Sequence, residues 1–432
     1  MMVINSPDTG GRFRRVANEG FWVALGQASA VLGSLVGVRL LTSLLDPAQY
    51  GELALGITLA VLVNQVIFGP IGNGITRFYA PALEKGDLAG YFAASRRLVL
   101  QATRTVVLLI LFTGVGLLVA GRLEWMGLAV AALIFSIPSG CNGVMNGIQN
   151  AARQRSIVAL HQGIDSWTRF LTAAGLMMLL QATSTVAMIG YGLGAILVLS
   201  SQYLFLRRII PQQPSGMESV QAWRGQIWKF SSPIAVWGVF TWAQQASDRW
   251  ALGCFGSTQD VGLYAVLFQL GCYPMSLISG FAMQLLAPIL FQRAGDAGDC
   301  QRNASVNRIS WHLTAGVLAV TIAACLGAQL FHIQIFRVLV AEEYGSVSYL
   351  LPWMILVGGV FAAGETLAVN LMCQMKTDAM KPVKIVTAVL GVLFNFIGAY
   401  WYGIIGLVSA GVLFAFIYFI WTAVVSFYAT EG

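Results

Sequence analysis

Long apolar runs, each near 20 residues and separated by short charged patches, leave this chain few possible folds. One run begins at Phe21 and ends in RLLTSLLDPAQYGELALG (39–56), where Asp46-Pro47 interrupts it. A helix rises 1.5 Å per residue, so about 20 residues cross a hydrocarbon layer of about 30 Å. No water satisfies backbone N–H and C=O groups in such a layer, so these runs must form helices. Twelve spans are expected, near 21–45, 51–72, 98–120, 125–149, 157–180, 185–206, 227–252, 261–290, 309–330, 349–373, 383–402 and 404–428. Pro274 or Gly280 is a candidate break in the eighth, and Pro138, Pro233 and Pro352 lie in others. Only 10% of the 432 residues are charged and 57% are hydrophobic, against about 25% charged in soluble domains. The expected class is an all-α polytopic membrane protein. The start, MMVINSPDTGGRFRRVANEG, does not read as a cleavable signal, because the apolar run behind it is too long and lacks a nearby small-residue cleavage site.

The formal charge of +7 is explained by where the cations fall. With the N-terminus inside, nineteen of the 25 Lys and Arg residues fall in inside segments and only Arg122 and Arg337 in outside loops. This asymmetry places both termini in the cytoplasm and accounts for the basic character without nucleic acid. The longest inside connection, 207–226, contains PQQPSG and separates six spans from six. The expected organisation is a tail over 1–20, an N-terminal six-helix lobe over 21–206, a linker over 207–226 and a C-terminal lobe over 227–432. Six cysteines form no C-x-x-C pair and mostly sit in apolar runs, where they read as small buried hydrophobes.

The halves repeat. Arg39 and Gly51 in QYGELAL (49–55) correspond to Arg249 and Gly262 in DVGLYAV (260–266), and YAPALEKGD (79–87) to LAPILFQRAGD (286–296). Six spans between equivalents give parallel halves related by an axis along the membrane normal. Such halves ordinarily meet around a central substrate cavity.

The run RLLTSLLDPAQYGELAL, the second helix ending GITRFYAP, the string SDRWALGCFGSTQDVGLYAV (247–266) and the glycine pattern GYGLGA (190–195) resemble the prokaryotic polysaccharide transporters. These are oligosaccharide flippases of the multidrug/oligosaccharidyl-lipid/polysaccharide (MOP) superfamily. The resemblance implies two six-helix lobes in a V around a central cavity. It also implies translocation of a polyprenyl-pyrophosphate-linked oligosaccharide across the cytoplasmic (inner) membrane, for O-antigen- or exopolysaccharide-type surface polysaccharide. The implied partners are the lipid-linked oligosaccharide, membrane lipids, a polysaccharide polymerase and glycosyltransferases; the implied state is a monomer.

Ionisable groups within spans are the first candidates for a transport path. Arg39, Arg249 and Asp248 lie near span ends, where an arginine can reach the interface by extending its stem. His161, Asp165 and Arg169 follow at i, i+4, i+8 on one helical face, deeper in the membrane, and Glu365 is comparably deep. Asp165 and Arg169 read either as a self-neutralising pair or as a cavity site. A guanidinium binds a pyrophosphate bidentately, and a carboxylate can carry a coupling proton or sodium ion. Trp167 and Trp242, away from the span ends, are candidates for stacking on sugar rings.

There is no G-x-x-x-x-G-K-[ST], H-E-x-x-H or G-x-S-x-G, so neither P-loop hydrolysis nor the chemistry of those two motifs is expected. The expectation is a transporter without covalent chemistry, metal or cofactor. A cation-coupled multidrug exporter of the same superfamily, a membrane-embedded glycan polymerase or ligase, and a structural scaffold are the alternatives.

Overall fold

The computed structural model describes residues 9–211, 216–294, 299–374, 376 and 379–428, with side chains from residue 24 onward except at several positions over 281–300. The helices are α1 (Thr9–Thr42), α2 (Pro47–Val63), α3 (Gly69–Glu84), α4 (Leu88–Val119), α5 (Met126–Ala151), α6 (Arg155–Leu179), α7 (Ser184–Leu206), α8 (Met217–Phe255), α9 (Thr258–Ala294), α10 (Cys300–Leu339), α11 (Leu351–Cys373) and α12 (Met380–Tyr428). A π-turn over Asn64–Phe68 joins α2 and α3 into one rod. No strand occurs among the described residues.

Nine helical segments among the described residues are long and apolar enough to cross a membrane. The helices α6 and α8 fall outside that set because their apolar stretches carry polar residues. The long α12 provides two crossings, because Gly403 takes φ 56° and ψ −130° and reverses the chain there. The two arms then pack antiparallel, with Gly398 against Gly406 and Gly391 against Phe414. These nine segments, the second arm of α12 and the helices α6 and α8 together correspond to the twelve expected spans, in an all-α, two-lobed membrane fold.

Local chemistry shifts several expected boundaries. Helix α2 begins at Pro47, earlier than residue 51, because Asp46 caps it by accepting the Gln49 amide at 2.7 Å and proline occupies the first turn. Pro274 and Gly280 do not break the eighth span, since α9 runs through both. Pro352 lies in the first turn of α11. Pro138 and Pro233 lie inside α5 and α8. Helix α8 starts at Met217, within the expected linker.

The ends of the bundle are named here by the Pro47 turn and the Asp87 turn. At the Pro47 end one buried core unites both lobes, running from Leu41, Leu53 and Ala132 to Leu252, Val266, Tyr344 and Leu407. At the Asp87 end the buried apolar residues fall into separate groups. One holds Ile75, Tyr91 and Leu98 with Val220, Trp223 and Ile227 of α8, and others lie within the C-terminal lobe. In lipid, helices gain little from hiding apolar surface and associate through close packing and polar contacts. The lobe junction follows that rule. Gly51 of α2 faces Gly262 of α9 so closely that a Cβ on Gly51 would lie 2.8 Å from the Gly262 nitrogen, and one on Gly262 3.0 Å from the Gly51 nitrogen. The two repeat-related glycines are thus where the lobes cross.

Three further contacts close the same end. Arg39 donates to the Val340 carbonyl, Tyr344 donates to the Leu45 carbonyl at 2.8 Å, and the Ala341 amide donates to Thr42 at 3.3 Å. At the other end α8 docks on the N-terminal lobe. Asp87 accepts hydrogen bonds from Ser219, from the Trp223 indole at 2.8 Å and from the Gly90 amide at 3.1 Å, and Lys85 sits 5.1 Å from the Trp223 ring centre. The Ser219 bond chiefly, helped by Trp223 and Gly90 and opposed by burial, holds the Asp87 carboxyl below its ordinary value.

Candidate functional site

A cavity of about 560 Å³ lies at the lobe junction, between α2 and the helices α8, α9, α11 and α12. It falls within the size range of small-molecule sites, about 300–1,000 Å³. Its wall is built from three kinds of side chain. Trp242, Tyr273, Phe268, Phe361 and Phe414 supply rings, Gln244, Gln245, Gln269 and Asn395 supply amides, and Asp248 with Arg249 supply charge.

Arg249 is held from several sides. Its guanidinium lies 3.6 Å from Asp248 and 4.7 Å from the Phe268 ring centre. Both charged side chains are largely buried, at 16% and 9% exposure. A planar guanidinium can offer a second anion two parallel N–H donors. The amides are anchored, Gln245 and Gln269 across the lobes and Asn395 within the C-terminal lobe. Gln65 of the π-turn donates to Gln245 at 2.7 Å, Gln269 to Ser34 at 2.6 Å and Asn395 to Ser247 at 2.8 Å. The Trp242 indole donates to the Thr58 carbonyl at 2.7 Å, and Trp250 to the Thr58 hydroxyl at 2.9 Å.

The remaining sequence candidates occupy three other settings. Asp165 and Arg169 pair with each other along α6, and Arg169 lies 5.5 Å from the Phe135 ring centre and 5.9 Å from that of Tyr191. Tyr191 lines the cavity, so this pair borders the wall without being among its described lining residues. His161 is buried, its ring nitrogens 2.8 Å from the Ile157 carbonyl and 3.2 Å from the Ser201 hydroxyl, where it joins α6 to α7. Trp167 donates to Ser29 at 3.2 Å between α6 and α1, and Arg39 belongs to the Pro47-end closure. Glu365 does not meet Arg169. It bonds Lys384 at 2.6 Å and the Tyr418 hydroxyl.

Glu365 nevertheless relates to the cavity. Helix α11 is buried around most of its surface, and its less buried positions include Val357, Phe361, Glu365 and Val369 at four-residue spacing. The first two line the cavity, so Glu365 continues that stripe toward the Asp87 end.

Sequence reasoning passed over Gln245, Gln269, Asn395 and Lys384. The polar run within apolar α8 (TWAQQASDRW) was the available signal for Gln245. Lys384 stands near the start of its span, where a cation reads as part of an inside loop.

No protein-family model and no curated protein matches this chain. Solved structures do. An inward-facing multidrug resistance MATE family transporter of the MOP superfamily superposes with a TM-score of 0.66 at 14% identity, covering 95% of this chain and 96% of that one. An outward-facing MATE family transporter of the same superfamily gives 0.58 at 15% identity, with 96% of each chain covered. The lipid II flippase MurJ in an inward closed conformation gives 0.69 at 13% identity, covering 94% of this chain and 85% of that one. At these identities the likeness concerns the fold, and the chain has the two-lobed membrane fold of the MATE and MurJ transporters.

Proposed function

We propose that this protein is a flippase for polyprenyl-pyrophosphate-linked oligosaccharide in the cytoplasmic membrane, serving surface polysaccharide assembly. The observation that carries the reading is the wall of the junction cavity. Its one carboxylate among the described lining residues, Asp248, is already paired with Arg249. A cationic drug would need an uncompensated acid there. An anionic headgroup instead meets a guanidinium that binds phosphate oxygens bidentately. Amides and rings beside it suit sugar hydroxyls and sugar faces.

The positive-inside asymmetry supports assigning the Pro47 end to the outside. The protein would then be closed outside and take cargo from the cytoplasmic leaflet, and a higher superposition score on the inward-facing MATE structure (0.66) than on the outward-facing one (0.58) is in keeping. Transport proceeds by alternating access, with no covalent step. The competing reading is a cation-coupled drug exporter, which shares the fold.

Proteoliposomes separate the two. A fluorescent polyprenyl-diphosphate sugar is incorporated and quenched by an impermeant reductant. The flippase reading predicts loss of nearly all signal, against about half in protein-free vesicles where only one leaflet is reachable. No flipping, together with proton- or sodium-driven efflux of a dye cation, would instead establish the exporter.

A further inference from the structure

Helices α4 and α10 are the least buried spans of the fold. The buried share of their apolar windows is 11% and 17%, against at least 33% in every other described span. Neither helix contains an Asp or Glu, yet both carry arginines toward the Asp87 end: Arg96, Arg97 and Arg104 on α4, Arg302 and Arg308 on α10. A cation on a helix that faces lipid is costly unless an anion or water meets it.

The depth of the α4 cations follows from the helix rise. Helix α4 ends at Val119, just before the exposed Arg122–Glu124 pair. About 20 residues back from there, near residue 100, hydrocarbon gives way to headgroups. Arg97 then stands at headgroup level, and Arg104 about 6 Å inside the hydrocarbon. Seven positions apart, they share one helical face, with the exposed Gln101 between them. Side chains on a helix lean toward its N-terminus. On α4 that is the Asp87 end, so the Arg104 stem leads toward the level of Gln101 and Arg97. Away from the headgroups the same face continues as Leu108, Leu111, Phe112 and Val115, each at least 61% exposed.

Among the described residues no protein anion neutralises this stripe. Arg104 is exposed and belongs to none of the described ion pairs or cation–ring contacts. Arg97 meets the Met217 sulfur at 3.2 Å, a weak acceptor. The acid beside Met217, Glu218, is exposed and also in none of those ion pairs.

The two lobes differ at this place. The offset of 211 positions that takes Gly51 to Gly262 takes Arg97 to Arg308 and Gln101 to His312, both exposed on α10. It takes Arg104 to Ala315. The C-terminal lobe thus keeps the headgroup-level cation and lacks the deeper one. A general bias of positive charge toward one membrane face accounts for Arg97 and Arg308 alike. It does not account for Arg104, a charge set inside the hydrocarbon.

From this arrangement we propose that α4 carries a binding site for one anionic glycerophospholipid of the leaflet at the Asp87 end. Arg104 offers its fork to the phosphate from the hydrocarbon side, Arg97 from the headgroup side. Gln101 donates to a phosphate or glycerol oxygen, and the acyl chains lie along Leu108, Leu111, Phe112 and Val115. A zwitterionic lipid brings its own ammonium to its phosphate, so two unpaired guanidinium groups select a headgroup of net negative charge. None of the described residues lining the junction cavity belongs to α4, so this lipid is not the cargo.

Native mass spectrometry of the full-length protein tests the site, with phosphatidylglycerol or phosphatidylcholine of the same acyl chains titrated into the detergent-solubilised sample. No cargo is present, so the result is decided separately from the flippase reading. The first phosphatidylglycerol should bind about 10-fold tighter than phosphatidylcholine, the effect of one charge-assisted bond. Arg104→Gln should remove that preference, and Arg104→Lys, which keeps the charge without the fork, should retain part of it. Arg308→Gln should leave it unchanged. Equal affinity for the two lipids in the parent, an undiminished preference in Arg104→Gln, or the same loss in Arg308→Gln overturns the proposal. So does binding of polyprenyl diphosphate with no binding of phosphatidylglycerol, which would make the stripe a cargo station.

Discussion

The Gly51–Gly262 crossing predicts what one methyl group would do. A Cβ on Gly51 would press into the Thr258 carbonyl, standing 2.9 Å from its carbon and 2.8 Å from the Gly262 nitrogen. These are backbone atoms and no rotamer can relieve them. Favourable carbon contacts begin near 3.5 Å, so α2 and α9 must part by about 1 Å. Overpacking of this size costs about 1–3 kcal/mol. In the proposed transport cycle the cost would fall on the state closed at the Pro47 end, the one in which these backbones touch. Gly51→Ala should therefore shift the closed-to-open ratio by about 5- to 150-fold toward opening. Spin-label distances between L123C and Y349C, exposed positions of opposite lobes at the Pro47 end, read that ratio directly. Gly192→Ala is the control. No atom lies within 4 Å of the added methyl there, and alanine favours the helix by up to about 1 kcal/mol. A Gly51→Ala protein that folds normally and keeps the parent distance distribution would refute the idea that this crossing holds the lobes shut.

Three other perturbations follow from single sites. Asp87 has a depressed carboxyl value in the fold, so its contribution is present above the ordinary carboxylate value and disappears as pH falls through the lowered one, below about pH 4; Asp87→Asn should remove that acid limb from thermal unfolding of the N-terminal lobe. Gly403→Ala places a side chain at φ 56° and ψ −130°, a conformation reserved for glycine, and should cost about 1–3 kcal/mol, seen as a lower unfolding midpoint with the cavity binding unchanged. Trp242→Phe removes the indole donor to Thr58 across the lobes and should weaken sugar-headgroup binding while the protein still inserts, checked by equilibrium binding of a labelled polyprenyl-diphosphate sugar.

The spans were legible because lipid imposes their length on the sequence. The turns at Asp46-Pro47 and Gly403 were legible because proline and glycine mark where helices start and reverse. The repeat pointed to Gly51 and Gly262 as equivalents, and their meeting at the lobe crossing gives that symmetry a physical place. What sequence could not supply was the direction in which each charged residue faces. Depth along a helix follows from counting, but the face it presents depends on how neighbours pack. Hence Arg249, which counting placed near a span end, lines the cavity, while the deeper Arg169 is not among its described lining residues. Likewise Glu365 and Lys384 are 19 positions apart on different helices, and nothing in local spacing joins them.

Binding of the two cargo classes to the purified protein addresses the central claim most directly. Titrated against a fluorescent polyprenyl-diphosphate sugar and against a lipophilic dye cation, the parent protein should bind the diphosphate. Arg249→Gln should weaken that binding about 10- to 100-fold, as expected when a charge-assisted bond of about 1.5–3 kcal/mol is lost. Tight binding of the cation, with diphosphate affinity absent or indifferent to Arg249→Gln, would contradict the assignment of this cavity to lipid-linked oligosaccharide.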